Sequence, residues 1–222
     1  MCYKKYIKKS FEEISQNISK TTKLLAVSKY QPIEKIEYLH SLGQNDFGEN
    51  YLQELEQKAQ LLPNLNWHFI GSIQSRKIKN IVKYASTIQS VEKIEHLEKI
   101  NTQAGKLEKT IDCYLQINID NDPNKSGFGS DDSDKVIDCI KTSQSLKSIK
   151  VIGLMCLPAK SDNSEDSFIS MKSFFDTINS KLDSSQKLTQ LSMGMSGDYQ
   201  EAVKHSSTIV RIGSSLFGKR KN

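Results

Sequence analysis

Apolar positions along the chain follow two alternating rhythms. Near the N-terminus Ile7, Phe11, Ile14 and Ile18 recur at steps of four, three and four, which lays them along one face of an amphipathic helix. After this helix come short runs rich in apolar and β-branched residues, at 22–29, 46–49, 67–71, 87–91, 111–119, 149–157, 191–195 and 207–212. Such runs, bounded by polar and turn-forming residues, predict strands. The segments between them carry helical spacing instead. Pro32 suits a first helical turn and Gly43 its end. Leu52, Leu55, Ala59 and Leu62 mark one face of the next helix, and Phe168, Met171, Phe175, Ile178 and Leu182 that of a later one.

Strands that alternate with helices imply parallel pairing, because parallel neighbours need a crossover and a helix usually supplies it. Eight such units predict an α/β fold of the (β/α)8 TIM-barrel type. The expected unit is one domain over residues 1–222, with the N-terminal helix as an extra element on the exterior. An open dinucleotide-binding sheet would carry a glycine-rich turn after the first strand, but that turn reads SKYQP. Neither an internal repeat nor a low-complexity linker divides the chain.

Composition narrows the function classes. The net charge is +5 with a pI near 8.8, yet 31 basic and 26 acidic residues are interspersed. Only the N-terminal KKYIKK and C-terminal KRKN are basic clusters, and both read as solvated ends, so no nucleic-acid partner is expected. Cys2, Cys113, Cys139 and Cys156 are scattered without metal-ligand spacing, which suits a reducing compartment. The N-terminus lacks the apolar core of a signal peptide, and no apolar stretch is long enough to span a bilayer. A soluble, cytoplasmic protein with no metal site is expected.

In a barrel of this type the functional groups sit at the carboxyl ends of the strands. Leu25, Val27 and Lys29 alternate onto one face if the first strand runs through Lys29, which sets an amine at the mouth of an apolar surface. Desolvation there disfavours the ammonium and frees a neutral amine to attack an aldehyde. A lysine that only snorkels to solvent is the alternative. The loops after the seventh and eighth runs, SMGMSGD and RIGSSLFG, supply Gly194, Gly197 and Gly213 with Ser196, Ser214 and Ser215. Phosphate sites of barrels form in those loops. Arg211 stands within an apolar run and needs either a buried carboxylate or a ligand.

The segments AVSKYQP, FGENYLQE, WHFIGSIQSRK, NKSGF, GLMCLP, SMGMSGDYQEAV and RIGSSLFG, in order from about residue 22 to 218, resemble the pyridoxal phosphate homeostasis proteins. These are similar to the barrel domain of bacterial alanine racemase, and the resemblance implies a pyridoxal phosphate fold of type III. It implies that Lys29 forms a Schiff base with pyridoxal 5'-phosphate, that Ser196, Gly213 and Ser214 hold the phosphate, and that Arg211 faces the pyridine nitrogen. Asn50 is expected near the ring oxygen, with His68 and Met193 lining the pocket. Arg76 departs from the asparagine of the family's third motif, which puts a loop contact in question.

An arginine facing the pyridine nitrogen opposes its protonation and weakens the cofactor as an electron sink. The related racemases take a second base from a separate C-terminal domain, whereas this chain stops at Asn222. Tyr30 is the nearest internal substitute, but as a strand neighbour of Lys29 it is expected to point away. The expectation is therefore a monomeric, non-catalytic carrier that buffers the cofactor and supplies apo-enzymes. The competing readings are an amino-acid racemase and a phosphosugar aldolase, the latter leaving Arg211 without a role.

Overall fold

The computed structural model describes residues 3–158 and 164–218, so Cys2 and the basic KRKN lie outside the described residues. Nine strands occur in chain order: β1 (Lys23–Val27), β2 (Asp46–Glu49), β3 (Asn66–Phe69), β4 (Thr87–Val91), β5 (Ile111–Asn118), β6 (Phe128–Gly129), β7 (Ile149–Cys156), β8 (Gln190–Met195) and β9 (Ile209–Ile212). Every pairing among them is parallel. The order β4-β3-β2-β1-β9-β8-β7-β5 is closed by pairing of β4 with β5, giving an eight-stranded barrel. The two-residue β6, which the apolar pattern did not predict, sits beside β5 as a side pairing.

The residues on the two faces of each strand serve different layers. Phe47, Trp67, Ile88, Leu115, Leu154 and Val210 point outward into the main core beneath the helices. Leu25, Tyr114, Met155 and Ile209 form a separate cluster that fills the barrel interior. Both faces are thus buried, which explains why the strands read as nearly continuous apolar runs rather than alternating ones.

The outer ring consists of α2 (Ile33–Ser41), α3 (Leu52–Leu61), α4 (Ile78–Tyr84), α5 (Ile94–Gly105), α6 (Ser133–Ser143), α7 (Glu165–Ser180) and α8 (Tyr199–Lys204). After β9 the chain makes only a single helical turn, α9 (Ser214–Phe217). The N-terminal helix α1 (Tyr3–Asn17) packs against α2 and α9 and covers this seam, with Ile7 and Ile14 buried as its spacing predicts. Tyr6 donates its hydroxyl to the Ser215 carbonyl oxygen at 3.3 Å across the same seam.

The apolar runs extend past some strand ends. Ile70 and Leu157 follow β3 and β7 yet remain apolar, because both line a cavity at the barrel mouth. Lys29 likewise lies two residues beyond the end of β1. The expectation that β1 runs through it is corrected: Lys29 belongs to a turn.

Candidate functional site

A cavity of about 330 Å³ opens at the carboxyl ends of the strands, which is near the lower end of the usual range for small-molecule sites. Lys29, Asn50, Ser196, Arg211, Gly213 and Ser214 line it together. Its apolar wall consists of Val27, Ile70, Met155, Leu157 and Met195, and Gly197 completes the lining. The polar residues come from four segments that are far apart in sequence. Parallel topology alone brings them together, since each follows the carboxyl end of its strand or stands near it.

The turn that presents Lys29 is held on both sides. The Gln31 N–H donates to the Ser28 carbonyl oxygen at 2.9 Å and closes the turn. Tyr30 takes a left-handed conformation at φ 62°, unfavourable for a side chain of its size. Its N–H donates to Glu54 Oε2 at 2.7 Å. Lys58 Nζ donates to the Ser28 carbonyl oxygen at 2.7 Å, to Glu49 Oε1 at 2.8 Å and to Glu54 Oε2 at 2.6 Å, while the Ser28 hydroxyl donates to Glu49 Oε1 at 2.6 Å. Glu49 and Lys58 are both buried. Burial pushes the Glu49 carboxyl above its ordinary range, and the nearby Lys58 ammonium partly offsets this. Residues 28 and 30 are therefore fixed by a buried ionic clamp, and Lys29 rises between them. Tyr30 turns outward, its ring 5.4 Å from that of Tyr51, and does not line the cavity. The outward direction agrees with expectation, but a turn rather than strand alternation causes it.

Arg211 carries the strongest electrostatic signal. Its guanidinium is buried, donating from Nη1 to Ser192 Oγ and from Nη2 to the Cys156 carbonyl oxygen, both at 2.7 Å. Among the described residues no carboxylate forms an ion pair with it. Burial pulls its pKa below the usual arginine range, but a guanidinium starts so high that it remains charged. A buried cation held only by neutral acceptors is costly, and that cost falls when an electron-rich group enters the cavity beside it.

The two glycine-serine loops are joined directly. The Ser215 N–H donates to Ser196 Oγ and the Ser215 hydroxyl to the Ser196 carbonyl oxygen, each at 3.3 Å. Asp198 shapes the first loop by accepting from the Met195 N–H at 2.6 Å. Gly194, at φ 92°, faces α8 instead of the cavity: a Cβ there would come within 2.6 Å of the Ala202 methyl.

Two expected lining residues lie elsewhere. Met193 is fully buried on the outer face of β8, because Ser192 points into the barrel and the next residue must point out. His68 is level with Thr87, the first residue of β4, owing to the stagger of the tilted strands. It therefore lines a second cavity, of about 540 Å³, at the amino ends of the strands. Arg76 is exposed, donates to Gln74 Oε1 at 3.5 Å, and does not line the upper cavity. Sequence reasoning missed Glu49, Glu54 and Lys58, although Lys58 sits three residues after Leu55 on an otherwise apolar helix face.

Comparison with known proteins shows the family and supports the fold. The alanine racemase N-terminal domain family matches residues 4–221. The pyridoxal phosphate homeostasis protein of Pasteurella multocida is 35% identical over 231 residues, covering 96% of this chain and 97% of its own length. The chain belongs to that family. Another member, from Schizosaccharomyces pombe, is 36% identical over 89% of this chain and 84% of its own. Among solved structures, PipY of Synechococcus elongatus without PLP superposes with a TM-score of 0.88 at 30% identity, covering 96% of this chain and all of PipY. PipY has also been solved with PLP bound, and that form matches at a TM-score of 0.86. Alanine racemase of Clostridium difficile shares the fold, with a TM-score of 0.80 at 17% identity over 60% of its length.

Proposed function

We propose that this chain binds pyridoxal 5'-phosphate in the upper cavity and serves the homeostasis of that cofactor, carrying it without a dedicated reaction. The observation that carries the reading is Arg211: a buried guanidinium without a carboxylate partner among the described residues, in the same cavity as Lys29. The residues present fit the group. Asn50 Oδ1 is buried with no hydrogen-bond partner among the described residues, so it is open to a polar ring substituent. Gly197, where an added Cβ would meet nothing within 4 Å, leaves space beside Ser196, Gly213 and Ser214 for a phosphate. Val27, Ile70, Met155 and Leu157 offer apolar contact for the ring edges.

When bound, the cofactor supplies an aldehyde that condenses reversibly with an amine, releasing water, and a ring that can accept electron density. Lys29 would hold it through Nζ, in an orientation set by the clamp on Ser28 and Tyr30. Arg211 would face the ring nitrogen as a donor that accepts no proton, which would disfavour protonation there and make the ring a modest electron sink. Among the described residues lining the cavity, Lys29 and Arg211 are the only titratable ones. Racemisation needs proton transfer on both faces of a substrate carbon, and one lysine serves only one face. This favours a carrier that supplies apo-enzymes over a racemase. We further propose that it works as a monomer and in the cytoplasm, the compartment being favoured by Cys113, Cys139 and Cys156 as buried free thiols.

Incubation with pyridoxal 5'-phosphate is expected to give a visible absorbance band that borohydride fixes onto the peptide containing Lys29, and Lys29→Ala is expected to abolish it. Label on a different lysine would overturn the site. Steady conversion of an L-amino acid to its D-enantiomer, read by chiral chromatography, would overturn the carrier role.

A further inference from the structure

Beneath Arg211 a single file of hydrogen bonds crosses the barrel interior to the opposite mouth. Arg211 Nη1 donates to Ser192 Oγ at 2.7 Å, and Ser192 Oγ donates to Gln89 Oε1 at 2.8 Å. Gln89 Nε2 lies 3.0 Å from His68 Nδ1, and His68 Nε2 lies 3.3 Å from Asp46 Oδ1. Gln89 and Ser192 are wholly buried and His68 nearly so, so the bonds from Arg211 down to His68 cannot be exchanged for water at little cost.

The direction of the file is forced. An arginine has no acceptor, so Ser192 must accept from it and spend its own proton on the Gln89 carbonyl oxygen. Gln89 then presents its amide NH2 to His68, whose Nδ1 must accept. The neutral ring keeps its proton on Nε2 and gives it to Asp46. If Gln89 turned over, its NH2 would face a serine oxygen already receiving a proton from Arg211, and the serine proton would lose its acceptor. Each member therefore depends on the next, and the carboxylate at the lower cavity anchors the series. With Nη1 and Nη2 each tied once, to Ser192 and to the Cys156 carbonyl oxygen, the guanidinium plane is set and its other N–H groups are left to the upper cavity.

We infer that Ser192, Gln89 and His68 are positioning residues for Arg211, fixing from the far side of the barrel how its guanidinium meets the bound ring. This rests on the assignment of Arg211 to the cofactor. It gives a role to His68, which does not line the upper cavity, and to Gln89 and Ser192, which Arg211 reaches only in this direction.

The test compares Ser192→Ala, His68→Leu, His68→Asn and Arg211→Gln in pyridoxal 5'-phosphate titrations read by absorbance and by affinity. Ser192→Ala and His68→Leu are expected to shift the visible band and to weaken binding by about three- to ten-fold, the effect of losing one buried hydrogen bond. His68→Asn keeps an amide oxygen close to the position of Nδ1 and is expected to recover most of the loss. If His68→Asn is as impaired as His68→Leu, the ring acts by packing alone and the inference fails. It also fails if Ser192→Ala and His68→Leu behave as wild type while Arg211→Gln alters both readouts. If Arg211→Gln alters neither, the assignment of Arg211 to the cofactor fails instead. Independently of any variant's folding, ring ¹⁵N shifts of His68 in the cofactor-free protein should report the Nε2–H tautomer, and Nδ1–H would overturn the inference.

Discussion

Replacing Lys58 with methionine tests the clamp that presents Lys29. The ammonium makes three hydrogen bonds of 2.6–2.8 Å, to Ser28, Glu49 and Glu54, with its side chain only 6% exposed. Methionine fills similar space but leaves Glu49, wholly buried, with the Ser28 hydroxyl as its remaining donor, while Glu49 Oε2 already has none. Removing one partner of a buried ion pair costs about 3–5 kcal/mol, a large part of the roughly 5–15 kcal/mol that holds a domain folded. With a urea dependence of about 2–3 kcal/mol per molar, the denaturation midpoint should fall by about 1–2.5 M. The pH dependence has a definite sign. Burial already raises the Glu49 pKa, and loss of Lys58 raises it further. An acid with a raised folded pKa is least costly to bury below its unfolded value, and its penalty grows as pH climbs toward the folded one. The deficit of Lys58→Met against wild type should therefore be smaller at pH 5 than at pH 8. Urea titrations at both pH values measure it. A deficit below about 1 kcal/mol at pH 8, or one unchanged at pH 5, would refute the reasoning.

Other perturbations address separate parts of the molecule. At Gly71 an added Cβ would lie 1.9 Å from the Asn50 carbonyl oxygen, so Gly71→Ala must push that strand end aside; a loss of about 1–3 kcal/mol in urea and weaker cofactor binding are expected. Asp46 is raised by burial but brought net below its ordinary range by hydrogen bonds from His68 and Asn66 and by the charge of Lys23. Its contribution should be full above the unfolded carboxylate value of 3.8 and vanish as pH falls through the depressed folded value. Asp46→Asn should flatten that limb of the stability–pH curve. Burial pushes the Cys139 and Cys156 thiols up to about 12, and Cys113 upward as well, so in a Cys2→Ser protein a disulfide reagent should react only at the rate of unfolding.

Much of the barrel was legible because the sheet is parallel. Runs such as 46–49 and 87–91 coincide with their strands, each held between helical segments by the alternation that a parallel barrel requires. Residues chosen for following a strand end, such as Lys29, Asn50, Ser196, Gly213 and Ser214, all line one cavity for the same topological reason. Facing was harder to read. The resemblance implied Met193 at the mouth, but Met195 occupies it, beside the place where the register between β8 and β9 shifts. The level of His68 depends on strand tilt, which a single sequence does not carry. The clamp escaped notice because charged residues on a helix are ordinarily solvated. Only the place of Lys58 among Leu55 and Ala59 marked it as buried.

The seam between β1 and β9 also has a consequence for how the protein is made. The barrel closes where residues of the first strand, Lys23 to Ala26, pair with Ile209 to Ile212, and α1 seals that junction from outside. Synthesis delivers α1 and β1 well before β9, so until β9 emerges the barrel has an open sheet edge and the helix that covers it lacks its partner α9. Lys29 precedes Arg211 and the Gly213–Ser214 loop in the chain, so the upper cavity cannot be complete before β9 is made. The interval before that closure is when the barrel is most open to mispairing.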